Sequence, residues 1–315
     1  MLGVLLTALG QMLKLLIYIA FGYLMCRRGY LGDEMIHGLM AIITRFLIPV
    51  MIFNSLQLDY SPSLLKQGMV ISFLFLLSAV VAFFLACLCL KSRRLTLSPC
   101  AVADWKFDAL FSNAGFVGMP VVVALFNSQE AMFYCCCVIV TLNVFFGSIG
   151  EELYGIFGGR EQKSISLKKL LKSPILAAMT LGILFFFLRI RIPSFLSECF
   201  TTISSIIGPL VMFSLGALMT KGKFTDTFRD GSYYLLVLIR MIVAPLVAWA
   251  IGHLLTNHSV TLIVTMIMCA MPGPAAAAPL SLEYGDAVWA SRYVIVSTLL
   301  SVVTLPVLYA LATIW

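Results

Sequence analysis

The sequence predicts an all-α polytopic membrane protein of ten transmembrane helices, arranged as two inverted five-helix repeats with the fourth and ninth helices broken. Three observations predict it. Of 315 residues, 61% are hydrophobic and only 11% charged, with a mean hydropathy of +1.04; a soluble domain carries about 25% charged residues. Apolar runs of about 20 residues, enough to cross a bilayer core, recur from one end to the other. Two of those runs contain glycine and proline where a membrane helix should be continuous: "SNAGFVGMP" (Ser112–Pro120) and "AMPGPAAAAPLSLEYG" (Ala270–Gly285).

The spans fall at residues 2–25, 36–57, 66–90, 107–126, 131–157, 173–190, 195–219, 232–255, 259–282 and 289–312. Span 1 is followed by Arg27 and Arg28 with no A-x-A cleavage site, so it reads as a retained helix and not a secretory signal. Span 2 carries Arg45 one turn before Pro49, and span 8 carries Arg240. In span 5, "CCC" (Cys135–Cys137) points three side chains around a helix. That suits small apolar packing and neither a disulfide nor a four-ligand metal site.

Lys and Arg are sorted by alternate loops. Fifteen of the 21 basic residues lie in one set of loops, and only Lys66, Arg189 and Arg191 in the other. The positive-inside rule then puts both termini outside a cytoplasmic membrane. The formal charge of +7 is explained by this sorting and calls for no nucleic-acid partner. The lipid bilayer is the partner that composition demands. Residues 1–157 form the first five-helix repeat, 158–171 a short cytoplasmic linker and 172–315 the second repeat.

The halves resemble each other weakly. Aligning Pro49 of "IPVMIFNSL" with Pro209 of "GPLVMFSLG" places Phe53 on Phe213 and Asn54 on Ser214. The two interrupted spans also correspond, five helices apart, which is the pattern of an inverted-repeat secondary transporter. Proline removes an N–H and clashes with the carbonyl four residues earlier, while glycine loosens the turn. Backbone freed in this way must be buried in protein or line a wet cavity. Small residues let the broken segments approach closely, and half-helix N-termini then aim N–H groups at one point suited to an anion.

These motifs resemble the auxin efflux carrier family. Asn113, Gly118 and Pro120 fit its N-x4-G-x-P pattern, and Pro272 with Glu283–Tyr284 fits its "P…EY" segment. "SPILAAMTLGIL" (Ser173–Leu184), "GPLVMFSLGALM" and "STLLSVVTLPVL" (Ser297–Leu308) extend the likeness over essentially the whole chain. Pro274 and Pro279 depart from the pattern in span 9. The resemblance implies that spans 4 and 9 cross, with spans 1, 2, 6 and 7 a scaffold. Spans 3–5 and 8–10 would form a moving, elevator-type transport domain. It implies small organic anions as substrates, such as malate, malonate or auxin-like acids. Relatives with a moving domain are often dimeric, which makes a homodimer an expectation.

The substrate-binding residues expected at the crossing are Asn113, Gly115, Gly118, Pro120, Pro272, Gly273 and Pro274, joined by Arg240 and Arg45. An arginine fork matches a carboxylate in two hydrogen bonds. Lys14 reads as a snorkelling or structurally paired side chain. Asp108, Glu151 and Glu152 read as solvated groups near the cytoplasmic interface, and His37, His253 and His258 as bystanders. A sodium-coupled organic anion symporter of the bile-acid type is the alternative. No cofactor is called for. The chain has no H-E-x-x-H, G-x-S-x-G or G-x4-G-K-[ST], so neither an enzyme nor a nucleotide-driven pump is expected.

Overall fold

The structure is a computed structural model that describes residues 2–57, 61–91, 97–126, 128–145, 151–158, 174–218, 220, 228–274, 281 and 285–314. The linker expected at 158–171 lies almost wholly outside these, as do Glu283 and Tyr284; of Glu151, Glu152 and His37 only the backbone is described. Every regular element among the described residues is helical.

Helix α1 (Leu2–Arg27) fills span 1. It ends in a Schellman cap: Gly29, at φ +79°, donates to the Cys26 carbonyl while Tyr30 donates to that of Met25. Span 2 is α2 (Asp33–Ile42), a π-helical turn (Ile43–Leu47) and α3 (Ile48–Ser55). Span 3 is one uninterrupted helix, α4 (Pro62–Lys91). Span 4 comprises α5 (Pro99–Leu110), a non-helical stretch at Phe111–Asn113, a π turn (Ala114–Gly118) and α6 (Met119–Phe126). Span 5 holds α7 (Gln129–Phe145) and α8 (Glu151–Gly158). Spans 6 and 7 are α9 (Pro174–Leu188) and α10 (Ser194–Leu218). Span 8 is α11 (Gly231–Val237), a third π turn (Leu238–Val243) and α12 (Ala244–Leu255). Helix α13 (Ser259–Cys269) begins span 9, whose chain then leaves the helix, and α14 (Ala287–Ile314) is span 10.

Each π turn stops two residues short of a proline: Pro49, Pro120 and Pro245. A proline cannot donate, and its ring collides with the carbonyl four residues earlier. Widening that turn gives the ring room.

Span 4 starts earlier than expected, at Pro99 and not at 107. Ser98 caps this start, its hydroxyl accepting from the Ala101 N–H at 3.2 Å, and Pro99 opens the first turn, where no N–H is needed. The break is also displaced from the expected one. It lies at Phe111–Asn113, ahead of the glycines, and Pro120 sits in the first turn of α6, directly behind the π turn that accommodates its ring.

By length and composition, four described helices can cross a membrane: Pro62–Lys91, Ser194–Ser214, Gly231–Leu255 and Val288–Ile314. Large apolar side chains such as Phe21, Phe73, Phe84, Leu88, Phe195 and Val303 point outward, as a lipid-facing surface requires. The protein is an all-helical membrane protein.

The helices form two groups, which also pack on each other where α1 meets α14. Helix α1 packs on α10, and α3 on α9 and α10. A Cβ on Gly22 would run into the Phe213 carbonyl, and one on Gly216 into that of Ile19, so α1 and α10 touch backbone to backbone. A Cβ on Gly182 would stand 2.6 Å from Leu56 Cδ1. In the second set, α4 packs on α7, α12 and α13; α5 packs on α4, α8 and α14; and α13 packs on α14. Cys135 and Cys136 are fully buried in the apolar core, the packing role expected of them.

A candidate anion site where two broken helices meet

The two breaks meet. Asn113, at the end of the non-helical stretch of span 4, donates its backbone N–H to the Pro272 carbonyl of span 9 at 2.9 Å. Gly118 lies against span 9 as well, where a Cβ would stand 2.9 Å from Met268 Sδ and 3.0 Å from Met271 Cγ. Gly273 donates to the Ser297 hydroxyl of α14 at 3.0 Å, and a Cβ there would stand 2.6 Å from the Tyr293 ring. Pro272, Gly273 and Pro274 are all buried. Gly115 has open space where its Cβ would be.

Arg240 joins this group from the π turn of span 8. Its side chain is 1% exposed, and Nη1 donates to the Cys269 carbonyl at 2.6 Å. Cys269 is the last residue of α13, so the guanidinium meets the negative end of that half-helix. A guanidinium has five N–H donors. Nε and Nη2 have no hydrogen-bond partner, and among the described residues no carboxylate pairs with Arg240. The Asn113 side chain, 2% exposed, has neither amide atom satisfied, and the Ser112 hydroxyl is likewise unpartnered. Arg240 is thus a buried cation with spare donors, and Asn113 and Ser112 add a buried amide and a buried hydroxyl without partners.

Arg45 stands elsewhere. Its π turn packs on α9 and α10, and its side chain is exposed, as is that of Lys14. The site thus brings Asn113, Gly118, Pro272, Gly273, Pro274 and Arg240 together and leaves Arg45 out.

Asp108 corrects the sequence reading. It is 0% exposed and not a solvated interfacial group, because α5 begins two turns before the expected span and carries it inside. Asp104, one turn earlier, went unnoticed in the sequence and is equally buried. Asp104 accepts from the Tyr154 hydroxyl at 2.7 Å, the Ser281 hydroxyl at 2.6 Å and the Asp286 N–H at 2.5 Å. Tyr293 was missed too, and its hydroxyl lies within electrostatic reach of both Asp108 and Arg240. The sequence signal for the two acids was the Ser98–Pro99 helix start; Tyr293, on α14, had none. Lys106, counted among loop cations, lies on α5 with its ammonium 3.3 Å from the centre of the Phe157 ring.

A cleft of about 520 Å³ opens where α4, α7 and α13 begin, lined by Ser61, Gln67, Glu130, Arg191 and His258 among others. His258 Nε2 is 3.4 Å from Glu130 Oε1 there. This histidine therefore has a partner at a surface opening, away from the crossing.

Comparison with known proteins agrees with this architecture. The membrane transport protein family matches the chain twice, over residues 7–164 and 158–309. An uncharacterized transporter of Methanothermobacter thermautotrophicus is 28% identical over 301 residues, covering 93% of this chain and 95% of the relative. An uncharacterized transporter of Methanocaldococcus jannaschii is 26% identical over 270 residues, covering 82% of this chain and 84% of its own. The family match spans both broken helices and nearly the full length of the protein. The chain is a membrane transporter and belongs to the auxin efflux carrier family of membrane transport proteins.

Proposed function

We propose that this protein is a secondary carrier for small organic anions, dicarboxylates such as malate or malonate among them, in the cell membrane. The observation that carries the reading is the buried guanidinium of Arg240, with Nε and Nη2 free at the meeting point of the two breaks. The anion sits between Arg240 and Asn113, and two of its oxygens take the free arms of the fork. Spans 3–5 and 8–10 carry this site past spans 1, 2, 6 and 7 in an elevator motion. The packing of α1 on α10, and of α3 on α9 and α10, supports the scaffold group, which meets the moving group where α1 packs on α14. The spans number ten, in two inverted repeats. The paired placement of Gly22 in span 1 against span 7, and Gly182 in span 6 against span 2, supports the repeat. The working form is a homodimer joined through the scaffold spans.

The test is uptake into proteoliposomes of a panel of labelled mono- and dicarboxylates. Saturable uptake of carboxylates, absent with cations and neutral sugars, is expected; no uptake of any carboxylate overturns the reading. Orientation follows from the sorted basic residues, with both termini outside. Ser164→Cys in a cysteine-free background is then labelled only from the cytoplasmic side, and external labelling of intact cells reverses the topology.

A further inference from the structure

Two carboxyl groups lie one helical turn apart on α5, and their surroundings differ completely. Asp104 is saturated: hydroxyls from Tyr154 and Ser281 and the backbone N–H of Asp286 all donate to it. Its role is structural. Asp286 in turn caps α14, accepting from the N–H groups of Val288 and Trp289. Asp104 therefore clamps α5, α8, the end of span 9 and the start of α14 together.

Asp108 has nothing. Both carboxyl oxygens are buried and neither has a hydrogen-bond partner. The titratable groups that bear on it are Asp104 on its own helix, Tyr154 from α8 and Tyr293 from α14. No cation does. From α4, Cys87 faces Lys106, whose ammonium lies on Phe157, and Arg292 of α14 turns to Tyr233. An ionised carboxylate without cation or donor inside a membrane protein is expensive. Such a group is kept for a partner that comes and goes.

The partner is either a metal ion or a proton. A sodium or calcium ion needs several oxygen ligands around it. The neighbouring Asp104 already spends its oxygens on three donors, and the described residues hold no cluster of three ligating acids, histidines or cysteines. A proton needs only the carboxyl oxygen.

Position supplies the rest. Asp108 precedes the Phe111–Asn113 break by a single turn, and Tyr293 feels both Asp108 and the Arg240 guanidinium. We propose that Asp108 is the proton-binding group of this carrier: one proton adds to its carboxylate as an anion occupies the crossing, and both cross together. This rests on the reading of the crossing as an anion site. One proton offsets one charge of the anion: a monoanion crosses with no net charge moved, and a dianion such as malonate with one negative charge. Linkage makes the effect reciprocal: the bound proton removes a negative charge near the anion, so each favours the binding of the other.

The experiment has two arms. In the first, the reconstituted protein is titrated with protons alone while infrared difference spectra follow the carboxylic C=O stretch. The parent shows a titrating carboxyl band that Asp108→Asn abolishes and Asp104→Asn does not; a band unchanged in Asp108→Asn overturns the proposal. In the second, the parent is loaded into proteoliposomes and given labelled malonate under a proton gradient or a sodium gradient. Accumulation driven by the proton gradient is expected, and accumulation driven only by sodium overturns the proposal. This arm needs no variant, so it decides even where Asp108→Asn does not fold. With Asp108→Asn, gradient-driven accumulation falls at least tenfold while exchange of labelled for unlabelled malonate persists. Parent-like accumulation by that variant sinks the proposal. Should the parent move no carboxylate under any gradient, the anion reading fails, and the infrared arm alone decides the role of Asp108.

Discussion

Two pairs of helices approach one another closely in this molecule, and they do so by opposite means. Where α1 meets α10, Gly22 and Gly216 strip the interface to bare backbone, and two continuous helices pack directly against each other. Where spans 4 and 9 meet, the helices open, and the approach is made through a backbone bond from Asn113 to Pro272. The first contact is dry and finished. The second leaves Arg240, Asn113 and Ser112 with unused hydrogen-bonding capacity. Close packing alone does not make a site; unclosed hydrogen bonding inside the packing does.

The largest effect belongs to the finished contact. Gly22→Leu puts a branched side chain into the Phe213 carbonyl, and because backbone cannot step aside as a flexible side chain can, the pair must separate. Overpacking in an ordinary core costs about 1–3 kcal/mol, and this contact exceeds that. Little monodisperse protein should survive size-exclusion after extraction. Normal yield and thermal stability would show that the two helices do not touch in the membrane.

Next comes Arg240. Arg240→Gln should still fold, since its amide can replace the single bond to Cys269, but carboxylate uptake should fall more than a hundredfold with the charge removed. Arg240→Lys keeps the charge and loses the fork, so its loss should be smaller, about ten- to hundredfold in apparent affinity. Parent-like uptake by well-folded Arg240→Gln would erase the contrast between the two crossings.

Asn113→Ala comes third. The bond to Pro272 comes from the backbone and survives, so the crossing should stay intact while the amide is lost. One charge-assisted hydrogen bond is worth roughly 1.5–3 kcal/mol, and apparent affinity measured by uptake should drop about ten- to hundredfold. The smallest change is expected of Pro120→Ala. The break lies at Phe111–Asn113 and Pro120 occupies a helical first turn, so transport should stay within about threefold of the parent. A collapse of transport there would mean that the proline, acting through the π turn, holds the break open.

Much of this was legible in the sequence. The two interrupted runs, the partners Asn113 and Pro272, and the buried cation Arg240 all stand out against an apolar chain, because hydrocarbon tolerates neither broken backbone nor charge without a reason. Asp104 and Asp108 were hidden by the same logic. Together with Lys106 they make "DWKFD" look like loop, and only the Ser98–Pro99 start signal reveals the helix that carries them inward. Arg45 misled for a related reason: its spacing to Pro49 placed it on the kinked face, but spacing does not say which neighbour covers that face. The pairing of Gly22 with Phe213 was unreadable, since one glycine in an apolar run names no partner.

The Asp104 clamp has a consequence for how the chain is made. Its donors come from Tyr154, Ser281 and Asp286, so two of the three belong to segments synthesised near the end. While the first half is being inserted, α5 carries two acids and a lysine with no later helix to receive them. It is a poor candidate to enter the bilayer alone, and the expected outcome is that it stays at the membrane surface until α14 arrives. Truncation before span 10 should therefore leave α5 open to water-soluble labels at Cys100, and completion of the chain should close it.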